Sequence, residues 1–565
     1  MTYFRKAANA FLHSLRRVLF LLIAFVAGVS LARARGLPTR YDLREQDLVP
    51  PVMNQGMLGT CWAFSNTLCL ESSILRRGLV ASPTDPRLDL SVWHLATANG
   101  MDSDLSPPYD NWGGITEVAV ATWTRGQGVW HVPDFSLAAG GGPVLTATNP
   151  KNAYPLKAVE EDQKLRPYVP PANQTLAPFR LTQAIILKIA QYKEPVSPEF
   201  RDQVKQLLLD NGAISTAMFA GNETPGFEFP DFYDRGNFTY RCDVPSNEEL
   251  ANHAVSLIGW DDDKVVTVKG VSSTGAWLIQ NSWGEGFGDH GCFWIAYDDI
   301  QALKDNTAYG AARRGNISAV VMENQIFAPT ENLGPPSHRT IMAAEKLTST
   351  GTGRLAALGL WSQNAETHVG ISIYSSWTVE GPSGLLLAAG NYTINHVGYE
   401  EITLPRALAL PAGKTVYVVF DFGHDLDPVS IDTDSNEVFD QGPLGVSWYS
   451  IDDGQSWKDL ARRQEHAGIF FLKGLVELSP PTISLQPKSQ AVKASTRVSF
   501  LVKATGPGPL SYQWKKDGVN LPGQTKAALV LYGVTKNAAG SYRVLVRNQQ
   551  GQVLSAIAKL KVRVR

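Results

Sequence analysis

Gln55-Gly56-Met57-Leu58-Gly59-Thr60-Cys61-Trp62-Ala63-Phe64-Ser65 is the stretch on which the reading of this chain turns. Its first half is rich in turn formers. Its second half opens a run with Phe64, Leu68 and Leu75 at helical spacing, Arg76 and Arg77 in the last turn and Gly78 as a stop, which predicts a helix over 61–77. Cys61 then stands at the helix start, where the aligned peptide dipoles supply about half a positive charge and favour thiolate over thiol. On its own, such a cysteine still reads more simply as a small core side chain.

The rest of the first half of the chain changes that balance. The 55–65 stretch resembles the nucleophile segment of papain-like cysteine proteases: a Gln, a Gly-rich turn, then Cys-Trp-Ala-Phe. The approach, with Leu37-Pro38, Tyr41-Asp42-Leu43-Arg44 and Val49-Pro50-Pro51-Val52, is similar to the mature start of such enzymes. Asn252-His253-Ala254-Val255 resembles the family's histidine segment, and Trp277-Leu278-Ile279-Gln280-Asn281-Ser282-Trp283-Gly284 resembles its Asn-Ser-Trp-Gly segment. Three motifs in the family's order make the resemblance specific, and it covers about half of the 565 residues.

The resemblance implies a fold and a set of roles. The fold is an α+β papain-like peptidase domain, a helical lobe beside a β-barrel-like lobe, over 36–320. Cys61 would be the thiolate nucleophile and His253 its imidazolium partner and later proton donor. Asn281 would hold the imidazole by accepting a ring N–H, and Gln55, with the backbone N–H of Cys61, would stabilise the oxyanion. Trp283 would shield the His–Asn hydrogen bond. Gly113 and Gly114 sit where the family binds an extended substrate through backbone hydrogen bonds, and Ala217 and Ala254 where it has walls of the second subsite. The small walls suggest a roomy apolar pocket. No metal or cofactor is expected, and the partners would be protein or peptide substrates. Without a cleft-blocking element rich in His or Cys, endopeptidase cleavage is preferred. A glycan-binding adhesin with a vestigial peptidase domain, or transpeptidase or amidase chemistry on the same triad, are the alternatives.

Several positions depart from the family pattern. The places of the usual disulfide hold Leu58 and Asn111. Cys69 reads as core, Cys242 lacks a clear partner, and a bridge from it to Cys292 is left open. The spacing of 192 between Cys61 and His253 exceeds the papain pattern, with the surplus mainly in 128–195, and a second insert spans 261–274. Helices are also predicted over 115–125 and from Ser197-Pro198-Glu199, with Val204, Leu207 and Leu208 apolar and Gly212 beyond the end.

Composition bounds the remainder. Hydrophobic residues make up 44% and charged residues 18%, which permits buried cores. The net charge of −2 lacks a chain-wide basic footprint for nucleic acid. Four cysteines cannot form a disulfide scaffold. Residues 1–34 read as a signal peptide: Arg5, Lys6, Arg16 and Arg17 precede an apolar core too short to span a bilayer, and Ala32-Arg33-Ala34 offers a cleavage site. A secreted, periplasmic or extracellular protein without a stable membrane anchor is expected, with an uncleaved signal anchor as the alternative. Leu37 follows directly on that leader, which predicts control without an amino-terminal prosegment.

Beyond residue 322 helical periodicity stops. Alternating runs at 370–374, 401–404, 415–420 and 445–450 predict a β-sandwich over 323–476. With Gly398-Tyr399 and Asp453-Gly454-Gln455-Ser456-Trp457 it resembles the lectin-like domain that follows the peptidase in some bacterial papain-like proteins, which allows a glycan or cell-surface ligand by fold analogy alone. Trp448 and Trp457 read first as core side chains and second as sugar-stacking ones. Asp432, Asp434 and Asn436 alternate like a calcium loop, but Glu437 stands where an EF-hand needs glycine. Residues 480–565 resemble an immunoglobulin-like domain, with Trp514 on the core strand, Tyr542 at the tyrosine corner, and Val502 and Val544 where the cysteines usually stand. The expected architecture is thus an α+β peptidase followed by two all-β sandwich domains.

Overall fold

The computed structural model describes residues 36–56, 59–85, 88, 90–97, 114–124, 179–188, 194–222, 228–245, 250–314, 319–322, 331–333, 341–423, 429–432, 444–463, 469–506, 509–548 and 551–563. The leader, Leu58, Asn111, Gly113, most of the 128–195 insert, Asp434 and Asn436 lie outside the described residues.

The helix Cys61–Arg76 forms the centre of the first lobe and is buried from Trp62 through Leu75. A helix so enclosed needs partners for its polar side chains. Ser72 donates to Leu48 O, Asn66 Nδ2 to Trp62 O, and Glu71 accepts from Leu90 N. Gly78, at φ +64°, takes the left-handed conformation that ends it. The helix Thr116–Thr124 matches the periodicity of 115–125. The helix Pro198–Asn211 starts as predicted: Ser197 Oγ caps Phe200 N at 3.2 Å, proline occupies the first turn, and Gly212 follows at φ +94°.

The second lobe is built on antiparallel strands. Ile214–Met218 pairs with His253–Val268, which forms a hairpin with Val271–Gln280, and Cys292–Ala296 adds to the far side. The insert read at 261–274 is the distal part of that hairpin, closed by Lys269 and Gly270 at φ +50° and +79°.

The peptidase lobe and the following sandwich share one continuous sheet, which the division into modules did not anticipate. Phe179–Leu187 pairs on one side with Lys304–Arg314 and on the other with the sandwich strand Val397–Leu410, with Val397 opposite Ile186 and Glu400 opposite Gln183. Gln183 Nε2 donates to Glu400 Oε2 at 2.8 Å, and Arg180 forms an ion pair with the buried Glu401. Trp361, Tyr399 and Phe471 of the sandwich pack into the peptidase core. Gly359 makes room for this, since a Cβ there would stand 2.1 Å from the Tyr399 hydroxyl.

The second sheet of the sandwich runs Gly381–Ile394, Thr367–Thr378, Thr415–Asp421, Met342–Thr348, Ser447–Ser450 and Lys458–Asp459. These strands contain the predicted runs at 370–374 and 415–420. Trp448 and Trp457 are not core side chains. Both are half-buried and gather on Trp377, Trp448 stacked at 4.1 Å and Trp457 edge-on at 5.2 Å between ring centroids. The last domain encloses its own core of Val502, Trp514, Tyr542 and Val544. The Tyr542 hydroxyl donates to Ala538 O at 2.7 Å, which is the tyrosine corner, and Phe500 stacks on the Tyr542 ring.

Candidate active site

The two lobes meet where the start of Cys61–Arg76 faces the start of His253–Val268. Serine hydroxyls join these elements: Ser65 Oγ donates to Val255 O at 2.7 Å and lies 2.8 Å from Ser215 Oγ. The helix Cys61–Arg76 is thereby fixed against the strand His253–Val268 one turn behind Cys61. Asn252 anchors the approach to His253, donating from Nδ2 to Gly221 O at 2.6 Å and accepting from Ala220 N at 2.8 Å.

Burial is the largest influence on the Cys61 thiol and pushes it up. The hydrogen bond and charge of His253, with the backbone N–H groups of Ala254 and Trp62, outweigh it, so the thiol titrates below its ordinary value. The other three cysteines behave in the opposite way. Burial raises Cys69 well above the ordinary range, Cys242 to about 12 and Cys292 to about 11. All four are free, so the bridge left open between Cys242 and Cys292 is not formed.

His253 Nε2 lies 2.8 Å from Asn281 Oδ1, and both side chains are buried. The same Oδ1 accepts from Ser282 N at 2.8 Å, and Asn281 N donates to Gly291 O at 2.9 Å. Trp283 stacks on the His253 ring with centroids 4.8 Å apart and a 26° interplanar angle. Phe229 and Phe287 support the indole from its edges at 5.1 and 4.8 Å. Phe287 lies in Gly286-Phe287-Gly288, the continuation of the Asn-Ser-Trp-Gly segment, whereas nothing in the sequence ties Phe229 to the motif.

Gln55 comes to the same place through a short ladder. Its N–H donates to Ser282 O at 2.8 Å, Gly284 N donates to Met53 O at 3.0 Å, and the Ser282 hydroxyl donates to Gln55 Oε1 at 2.5 Å. Ser282 thus makes Oε1 the accepting end of the amide and orients the Nε2 end. The sequence places Ser282 inside the Asn-Ser-Trp-Gly segment but assigns it no role, because its partner Gln55 lies 227 residues away.

The expected pocket positions fall on different elements. Ala217 and Ala254 stand opposite each other on paired strands, one position from the Met218–His253 pair. Gly114 packs against the helix Cys61–Arg76: a Cβ there would lie 2.2 Å from the Trp62 indole, so only glycine fits this approach.

The fold, and the side chains it gathers here, are like those of papain-family cysteine proteases. The family model described as papain family cysteine protease matches residues 37–311, and these residues belong to that family. An immunoglobulin domain model matches residues 480–548. Among curated proteins, Zingipain-2 of Zingiber officinale is 25% identical over 256 residues, covering 45% of this chain and 86% of that protein. Human cathepsin L2 is 28% identical over 264 residues, covering 46% of this chain and 61% of its own length. Among solved structures, the cysteine protease and lectin-like domains of Cwp84, a surface layer associated protein of Clostridium difficile, superpose with a TM-score of 0.59. That match covers 78% of this chain and 89% of the other at 20% identity, and it speaks for the fold.

Proposed function

We propose that this protein is a secreted cysteine endopeptidase working through Cys61, His253, Asn281 and Gln55. The observation that carries the reading is the one lowered thiol among four cysteines, set against a histidine whose far nitrogen is held by Asn281. Cys61 Sγ attacks the peptide carbonyl carbon. The carbonyl oxygen becomes an oxyanion, which accepts from the Gln55 amide and the Cys61 N–H. The imidazolium of His253 passes its proton to the leaving amine as the C–N bond breaks, leaving a thioester. His253 then takes a proton from water, the hydroxide attacks the thioester, and the acid and free thiolate are released.

Ala217 and Ala254 would floor a subsite for an apolar side chain, and Gly113 and Gly114 would border the substrate strand. We assign 36–320 to the peptidase, 323–476 to the lectin-like sandwich and 480–565 to the immunoglobulin-like domain, with 1–34 as a cleaved leader. The surface-layer association of Cwp84 and the basic, apolar 1–34 segment support an extracellular site of action. No helix among the described residues is long and apolar enough to cross a membrane.

The test is alkylation of the purified protein near neutral pH, with Cys61→Ala and His253→Ala beside wild type. Rapid labelling that is lost in Cys61→Ala and slowed in His253→Ala is the expected result. Equal, slow labelling of wild type and His253→Ala would overturn it and favour a vestigial domain. Product analysis with added amine acceptors separates hydrolysis from transpeptidation.

A further inference from the structure

The near-neutral charge of the whole chain hides a sharp segregation. Residues 479–565 hold fourteen Lys and Arg against a single acidic residue, Asp517, while residues 1–478 hold 37 against 52. The immunoglobulin-like domain is therefore a strongly basic body on an acidic enzyme.

Sheet register gathers half of that charge on one face. In the sheet of Gln490–Lys493, Ala558–Arg563, Gly540–Asn548 and Ser511–Lys516, Lys493 stands opposite Arg563, Ala491 opposite Lys561, Lys559 opposite Ser541, and Lys515 opposite Arg543. Strand alternation puts Trp514, Tyr542, Val544, Val546, Ala558 and Leu560 in the core. The alternate positions therefore point outward together: Lys493, Lys515, Arg543, Arg547, Lys559, Lys561 and Arg563. Two guanidiniums are steadied from the protein side, Arg543 Nε donating to Ser555 O and Arg547 Nε to Gln552 Oε1. Asp517, whose Oδ1 accepts from Ser541 N at a strand end, carries one negative charge against these seven positive ones.

We propose that this face docks the protein on an acidic polysaccharide. Seven cations on strands about 4.8 Å apart, with about 7 Å between alternate residues, form a grid matched to a chain of repeated negative charge. Gln513, Ser511, Ser541 and Gln552 lie among them and offer hydrogen bonds to hydroxyl groups. No aromatic side chain projects from these outward positions to stack on a nucleic-acid base. Its apolar members, Ala491, Leu545 and Leu554, are too small a group to anchor in a bilayer. The inference stands apart from the peptidase reading, because it rests on a domain that shares no residue with the candidate site.

The experiment measures binding of the full chain to immobilised alginate at about 50 and about 200 mM salt. Wild type is expected to bind at the lower salt and to lose at least about 10-fold in affinity at the higher, as condensed counterions dictate. Lys559→Gln/Lys561→Gln/Arg563→Gln should lose at least about 10-fold at low salt. Lys488→Gln/Lys503→Gln/Lys526→Gln removes the same charge from outside the face and should bind like wild type. Lys493→Gln/Arg543→Gln repeats the test on two other strands, should the triple variant melt early. No binding at low salt, equal loss in both triple variants, or tighter binding to duplex DNA or anionic phosphatidylglycerol vesicles would each overturn the proposal.

Discussion

The Ser282 hydroxyl donates to Gln55 Oε1 across 227 residues of chain, the side-chain member of the ladder that ties Gln55 to the Asn-Ser-Trp-Gly segment. An amide can be turned over at little cost, and only a fixed donor tells its two ends apart. Ser282→Ala should therefore lower kcat about 10-fold with little change in KM, while Gln55→Ala should cost about 100-fold or more. Steady-state kinetics on a peptide substrate checks both, and a KM effect in Ser282→Ala would place the serine in substrate binding instead.

The lowered Cys61 thiol predicts a pH dependence. Its thiolate persists below the ordinary thiol range because the His253 interaction favours the charged form. Alkylation of Cys61 should stay fast as pH falls below that range, and His253→Ala should move the midpoint upward. A pH profile of iodoacetamide labelling, read by intact mass, is the measurement.

Asp299 predicts a stability effect of the opposite sense. Burial raises its carboxyl to about 7, despite hydrogen bonds from Cys242 N and Gln301 N. A folded-state value above the unfolded one gives stability that is complete below about pH 4 and is lost as pH rises through about 7. Asp299→Asn should flatten that part of the Tm–pH curve while lowering stability overall, because one of the two oxygens that accept backbone N–H groups is replaced. Thermal melts from pH 4 to 8 decide it.

The shared sheet predicts that peptidase and sandwich unfold together. Trp361 belongs to the sandwich by chain order but to the peptidase core by packing. Trp361→Ala should cost about 3–5 kcal/mol and lower the temperature at which activity is lost. Calorimetry that shows the peptidase transition unmoved would argue for independent units.

Gly114→Ala places a methyl against the Trp62 indole at 2.2 Å, a distance no real pair of carbons holds. The helix or the loop must shift, at a cost of about 1–3 kcal/mol, and alkylation of Cys61 should slow as the helix start moves. Denaturant melts together with labelling rates separate the two effects.

Much of this molecule was legible in residue order because its strongest signals are local. The Cys61 helix, its Gly78 stop, the Ser197 cap and the proline after it all follow from interactions within a few residues. The core residues of the last domain announce themselves by strand alternation and a single buried tryptophan. Trp448 and Trp457 were misjudged because aromatic character alone does not say which face of a sheet a side chain occupies.

Residue order by itself determined where Cys61, Gln55, His253 and Asn281 stand along the chain and that a thiolate would be favoured at a helix start. Only the tertiary structure decided that Asn281 meets the histidine at 2.8 Å, that Ser282 orients Gln55, and that Trp283 has Phe229 and Phe287 behind it. Pairing of Phe179–Leu187 with Val397–Leu410, more than 200 residues later, belongs with these. The reason is physical: backbone propensities act over a turn or two, whereas a strand edge accepts any partner of matching register, and packing selects which one arrives.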